Sequence, residues 1–85
     1  MGHRHFEAFL SQAIDEEHYT EAGLDPDELY GLYTSWCLLN REDPKSPEAL
    51  WEALKKHRIK PAHNHVGMKG PAAADYIISS APDLH

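Results

Sequence analysis

Two helix starts restrict the fold of this chain more than any other feature of its sequence. In "DPDE", Asp25 is a favourable N-cap, Pro26 suits the first helical position, and Glu28 stands where a capping box places a carboxylate. The stretch "SPEA" repeats the signal with Ser46 and Pro47. Because proline is tolerated in the first turn of a helix and disrupts its interior, we predict helices that begin near these two prolines.

Apolar residues recur at helical spacing in three segments of the chain. Their spacing predicts amphipathic helices at about 4–18, 26–40 and 47–58, with most of the aromatic side chains in the core rather than on a base-stacking surface. Gly31, inside the second helix, costs roughly 1 kcal/mol relative to alanine. It indicates either close helix packing or tolerated strain. In the third helix we expect His57 to face inward.

The residues that follow the third helix carry signals of a β-hairpin. "ADYIIS" combines a β-branched pair with an aromatic residue, and Gly67 and Gly70 supply loop positions before it. Pro61 suggests an edge strand. We therefore predict a hairpin at about 59–79 and a tail at 80–85. Three helices followed by a hairpin predict a mainly α domain with a C-terminal β-hairpin (α+β), in the order of a winged helix-turn-helix.

Length and cysteine content limit the possible classes of protein. Eighty-five residues support one hydrophobic core, so we expect a single domain over 1–85. Cys37 is the single cysteine, which excludes an internal disulfide and suggests a reducing compartment, and its apolar surroundings predict a buried, inert thiol. No apolar stretch approaches the roughly 20 residues that span a bilayer. The expected location is the cytoplasm, without membrane contact.

Charge is distributed unevenly along the sequence. Residues 1–54 carry three Lys or Arg against twelve Asp or Glu, whereas residues 55–85 carry five against two. The stretch "KKHRIKPAHNHVGMKG", residues 55–70, contains no carboxylate although the formal net charge of the chain is -6. Such asymmetry predicts an anion-binding surface. The alternative is a solvated helix end, where lysines favour the negative end of the helix dipole, followed by a soluble hairpin.

If the fold is a winged helix, this basic stretch covers the end of the third helix and the wing, where phosphate contacts are expected to outweigh base readout. The candidate DNA ligands are Lys55, Lys56, Arg58, Lys60, His63, His65 and Lys69. Few cations within an acidic chain predict weak, strongly salt-dependent binding. Contacts from the two histidines to phosphate would strengthen binding as the pH falls through about 6.5.

Metal binding and catalysis are weaker interpretations. His63 and His65, with His57 nearby, are suitable ligands for zinc, copper or nickel, but no carboxylate or thiol is spaced to complete a site of three or four ligands. The carboxylate run at residues 15–17 has the character of a solvated surface. We therefore expect no enzyme, no cofactor and no metal.

The stretch "LYGLYTSWCLLNREDPKSPEALWEALKKHRI" resembles the C-terminal winged-helix tail of phage- and plasmid-encoded primase-helicases. The positions that carry the resemblance are Leu29, Tyr30, Tyr33, Trp36, Cys37, Ser46, Leu50 and Leu54. "HFEAFLSQAIDEE" is similar to the first helix of that tail, and "GPAAADYII" to its final strand. The resemblance implies a DNA-binding or docking module of a replication system, without the nucleotide-binding and primase motifs of the larger proteins.

A protein-interaction module is the main alternative function. In this interpretation the acidic first and second helices bind a basic partner from a phage or plasmid replication or recombination system. The residues that suggest it are Glu7, Asp15, Glu16, Glu17, Glu21, Asp27 and Glu28. The sequence leaves the oligomeric state open.

Overall fold

The computed structural model describes residues 3–15, 23–61 and 63–80. The elements in chain order are α1 (His3–Ala13), β1 (Ile14–Asp15), α2 (Pro26–Leu39), α3 (Pro47–Lys56), β2 (Gly67–Met68) and α4 (Gly70–Ser80). The two strands pair antiparallel, with Ile14 opposite Met68 and Asp15 opposite Gly67. The prediction of a mainly helical α+β chain is confirmed.

Both predicted helix starts are confirmed. The Asp25 carboxylate accepts the backbone N–H of Glu28 at 2.7 Å, and Glu28 Oε1 accepts the backbone N–H of Asp25 at 3.2 Å, which completes a capping box. At α3, Ser46 Oγ accepts the backbone N–H of Ala49 at 3.3 Å. These side chains satisfy backbone donors that the first turn of each helix leaves without an internal partner.

The ends of α2 and α3 are Schellman motifs. After α3, the Arg58 N–H donates to the Lys55 carbonyl at 3.0 Å and the Ile59 N–H donates to the Leu54 carbonyl at 2.9 Å. Arg58 takes the left-handed position with φ 62°, and Arg41 takes the same position after α2 with φ 55°. Glycine usually occupies this position because a left-handed conformation costs another residue roughly 1–2 kcal/mol.

The core forms where the helices meet. Its fully buried large side chains are Phe9, Leu29, Leu32, Tyr33, Cys37, Leu50 and Leu54. Trp36 is also buried, and the remaining aromatic residues that are described, Phe6, Tyr30, Trp51 and Tyr76, pack around this core while partly exposed. The expectation that the aromatic residues serve the core is thus confirmed.

The predicted C-terminal hairpin at 59–79 is wrong. β2 pairs with β1 after the first helix, and residues 70–80 form α4 instead of a second hairpin strand. α4 packs along α2, where the Tyr76 ring lies directly against Gly31. Gly31 therefore marks close helix packing, since a Cβ atom at this position would overlap the Tyr76 ring. A β-branched pair favours a strand locally, and packing on α2 overrides that preference.

The first helix is shorter than predicted. α1 ends at Ala13 and the next two residues enter the sheet, while the predicted residues 16–18 lie outside the described part of the chain. Among the helices of the described ranges, none is long and apolar enough to cross a membrane.

Candidate nucleic-acid interface

We call residues 55–69 the basic segment. All seven predicted DNA ligands in it have exposed side chains. They are Lys55, Lys56, Arg58, Lys60, His63, His65 and Lys69. Lys55 and Lys56 lie in the last turn of α3, as expected for the end of the third helix, and Arg58 follows the C-cap. The expected placement of the later ligands on a wing strand and wing tip is wrong, because the described residues between α3 and β2 form turns and irregular backbone.

The lysines of the basic segment and Arg58 have no ion-pair partner among the described carboxylates. Within 3–15, 23–61 and 63–80, no carboxylate oxygen lies within 4.0 Å of a charged nitrogen of its lysines or of Arg58. An exposed, unpaired cation keeps its hydration but remains available to an anion. This part of the surface can therefore exchange water and counterions for phosphate groups.

The backbone of the basic segment is held by residues that point inward. Ile59 and Val66, both within the segment, are buried. Between them, the Asn64 side-chain amide binds the Leu24 peptide on both sides: Oδ1 accepts the Leu24 N–H at 2.8 Å and Nδ2 donates to the Leu24 carbonyl at 2.8 Å. Nδ2 also donates to the Lys60 carbonyl at 2.7 Å. One asparagine thus joins the basic segment to the residues that precede α2.

Gly23 makes this connection possible. Its φ of 64° is left-handed, and a Cβ atom there would overlap the carbonyl oxygen of Asn64. Glycine suits this position because it adopts the left-handed conformation readily and leaves room for the Asn64 carbonyl. The sequence shows Gly23 as a break between helices, but "HNH" draws attention to its histidines rather than to Asn64. A partner 40 residues away along the chain leaves no local signal.

The histidines of the basic segment do not share a strand. His63 lies in a bend and His65 in irregular backbone before β2. His57, expected to face inward, is exposed because α3 ends at Lys56 and His57 serves as its C-cap. Among the described residues, no group of three His, Cys, Asp or Glu side chains is arranged to hold a metal ion.

Different elements fix the two ends of the basic segment. The Lys69 N–H donates to the Ala13 carbonyl at 2.8 Å, which places it beside the end of α1, whereas Lys55 and Lys56 belong to α3. A groove of about 380 Å³ beside α3 contains carboxylates as well as cations. It is lined by Phe6, Glu7, Lys45, Ala49, Glu52, Ala53, Lys56 and His57. Because Glu7 and Glu52 line it together with the cations, this groove is less favourable to an anion than a surface of cations alone.

A second polar arrangement, which the sequence does not indicate, fixes the connection between α2 and α3. The Lys45 N–H donates to the Tyr33 hydroxyl at 2.8 Å, and the Tyr30 hydroxyl donates to the Lys45 carbonyl at 3.0 Å. His5 Nε2 lies 2.6 Å from the same Tyr33 hydroxyl. We call the five rings that meet here the aromatic junction. They are His5, Phe6, Phe9, Tyr33 and Trp36.

Burial keeps the Tyr33 hydroxyl and the Cys37 thiol neutral. It raises the pKa of the Tyr33 hydroxyl far above its usual range, and it raises the pKa of the Cys37 thiol. Cys37 is fully buried, as its apolar surroundings predicted. A thiol with little thiolate and no access to solvent is a poor nucleophile.

No protein family profile, curated protein or solved structure matches this chain.

Proposed function

We propose that this chain is a non-catalytic nucleic-acid-binding module that contacts DNA, mostly through phosphates, with the end of α3 and the rest of the basic segment. The observation that carries the proposal is the exposure of all seven predicted ligands along 15 residues that contain no carboxylate. Exposed lysines are suited to phosphates as point charges, and Arg58 can bind one with two parallel hydrogen bonds.

The anchoring of the backbone supports this proposal. Because Ile59, Asn64 and Val66 hold the basic segment in place, less conformational entropy is lost on binding than for a disordered tail. Arg58 adds a second argument. It occupies a left-handed position where glycine would be more stable, and a residue kept in a costly conformation is consistent with a functional role for its side chain.

Winged helix-turn-helix architecture stays a prediction, as does the setting in phage or plasmid replication that the primase-helicase resemblance implies. α2 and α3 would serve as the helix pair, and the basic segment would flank the duplex. α3 carries exposed Glu48 and Glu52 on its earlier turns. These carboxylates oppose phosphate, so contacts should concentrate at the end of the helix.

Fluorescence anisotropy with short double- and single-stranded DNA across a salt series tests the proposal directly. If about four phosphates are neutralised, log K should fall with log salt at a slope of roughly -3 to -4. Absence of duplex binding at the lowest salt concentration would contradict it.

Matched charge reversals locate the surface. Lys60→Glu should weaken duplex binding and reduce the salt slope by about one, because one phosphate contact is lost. The control is Lys45→Glu, which makes the same charge change at an exposed lysine outside the basic segment. Equal losses for the two variants would mean that only net charge matters and that the basic segment is not the binding surface.

A protein-interaction module is the second candidate, and exposed apolar side chains favour it. Leu38, Leu39, Ile77 and Ile78 are 48–75% exposed on α2 and α4. Of the acidic residues that suggest a basic partner, Glu7 and Asp27 are exposed, Glu28 caps α2, and residues 16, 17 and 21 lie outside the described part of the chain.

An oligolysine peptide serves as the probe for this second candidate. Binding that Glu7→Lys with Asp27→Lys abolishes and Lys60→Glu leaves unchanged would support the acidic surface. Peptide binding that survives Glu7→Lys with Asp27→Lys would count against the acidic surface as the binding site.

A further inference from the structure

His5 lies in the aromatic junction, near the start of α1. Its ring meets the rings of Phe6, Tyr33 and Trp36 nearly edge to face, with centroid distances of 5.1, 5.6 and 5.3 Å. The His5 side chain is only 9% exposed. A titratable group is thus built into the contact between α1 and α2.

The hydrogen bonds determine where the protons of this cluster lie. A backbone N–H can only donate, so the Tyr33 oxygen accepts from Lys45. The hydroxyl hydrogen of Tyr33 can then be donated to His5 Nε2 at 2.6 Å, provided that Nε2 is unprotonated. In this arrangement the ring hydrogen of neutral His5 is assigned to Nδ1, 3.8 Å from Glu42 Oε1.

We infer that His5 is a proton-sensitive latch: in its neutral form it joins α1 to α2 and to the α2–α3 connection through the Tyr33 hydroxyl, and protonation at Nε2 weakens that joint. A protonated Nε2 no longer accepts the Tyr33 hydrogen and can only donate to the Tyr33 oxygen, which already accepts from Lys45. The Tyr33 hydrogen must then turn to another acceptor, and a cation replaces a neutral ring among aromatic side chains. This inference does not depend on DNA binding.

The charged and titratable groups that face His5 decide the direction of the effect. Burial of the ring is the largest influence and lowers its pKa; Glu42, whose side chain is 48% exposed, acts in the opposite direction, and Lys45 adds to the lowering. Tyr33 and its neighbour Cys37 stay neutral because burial raises the pKa of each.

The sign of the pH dependence follows from this lowering. In the unfolded chain His5 has its ordinary pKa of about 6.5, so on acidification the unfolded state takes up the proton first. The stabilisation from neutral His5 is therefore complete above about pH 6.5 and is lost as the pH falls through the lower pKa of the folded state.

Urea unfolding of the full chain at about pH 7.5 and about pH 5.5, at constant ionic strength, tests the latch. His5→Gln is the informative variant, because the Gln side-chain oxygen can accept the Tyr33 hydrogen and does not titrate. His63→Gln, at an exposed position, is the matched control. The folding equilibrium constant should fall more on acidification in the wild type and in His63→Gln than in His5→Gln, by at most about tenfold per pH unit below 6.5.

A proton titration of the wild type by NMR gives a second measurement in case His5→Gln does not fold. The His5 ring should titrate below about 6.5, and the Lys45 amide resonance should shift with the same midpoint, since both bind the Tyr33 hydroxyl. The latch is refuted if His5 titrates at or above that value, if the Lys45 amide does not follow it, or if His5→Gln loses as much stability on acidification as the wild type.

Discussion

The aromatic junction and the basic segment use their polar groups in opposite ways. In the junction, the Tyr33 hydroxyl connects a backbone N–H and a ring nitrogen from two other parts of the chain, and the rings around it are buried or half-buried. In the basic segment, the charged side chains are exposed, and Asn64 and the buried Ile59 and Val66 hold the backbone.

Because of this difference, we expect some residues to affect mainly stability and others to affect mainly binding. Substitutions in the aromatic junction should change the free energy of unfolding. Substitutions at the exposed cations should change affinity for anions and leave folding nearly unaffected. Asn64 is an exception, since it lies within the basic segment but stabilises the fold.

The largest expected effect is that of Phe9→Ala. Phe9 is fully buried and meets the Tyr33 and Trp36 rings at 5.3 and 5.8 Å, so its removal leaves a cavity in the junction. The free energy of unfolding should fall by about 3–5 kcal/mol, a large part of the stability of a domain this small. Urea unfolding at neutral pH measures the loss, with Lys60→Ala as a control that should change stability by less than about 0.5 kcal/mol. Similar losses of stability in Phe9→Ala and Lys60→Ala would contradict the proposed difference between the aromatic junction and the basic segment.

Asn64→Ala should have an intermediate effect. The Leu24 N–H and carbonyl, which are only partly accessible to water, lose their side-chain partner, and so does the exposed Lys60 carbonyl. We expect a loss of about 1–3 kcal/mol, together with faster hydrogen exchange at the Leu24 amide. Asn64→Asp can accept from Leu24 but cannot donate to the carbonyls, so it should be no more stable than the alanine variant. Full stability in either variant would show that this side chain does not anchor the basic segment.

Arg58→Gly should have the smallest effect on stability, and of the opposite sign. Relief of the left-handed backbone gains up to about 1 kcal/mol, part of which the greater freedom of glycine in the unfolded state removes. DNA affinity should decrease at the same time, because a phosphate ligand is removed. Arg41→Gly is the matched control, since it changes the same backbone position after α2. A loss of stability in Arg58→Gly alone would mean that this side chain supports the fold rather than binding.

Local signals predicted the first part of the fold well. Capping residues and prolines indicated the starts of α2 and α3, and helical spacing identified their buried faces, because these signals act within one or two turns. The prediction of a hairpin at 59–79 was wrong because it also depended on local signals alone. Tyr76, Ile77 and Ile78 favour a strand by intrinsic preference, although Pro71 followed by three alanines favours a helix, without the capping Asp or Ser of the two starts that were identified.

The composition of the candidate interface was predictable from the sequence, but the residues that hold its backbone in place were not. A run of cations without carboxylates is visible in the sequence, and exposure of those side chains follows from the cost of burying charge. Gly23 and Asn64, which hold the run in place, belong to distant parts of the chain. Likewise, nothing near His5 in sequence indicates the Tyr33 hydroxyl, 28 residues away.

The sequence by itself determined where α2 and α3 begin, which of their faces are buried and where positive charge collects. Each of these depends on interactions between residues a few positions apart or on the transfer of one side chain out of water. Tertiary structure decided that residues 70–80 form a helix against their β-branched preference, that β2 pairs with β1, and that His5, Tyr33 and Lys45 share one hydrogen-bonded joint. The physical reason is that these choices depend on partners brought together only when the chain has folded.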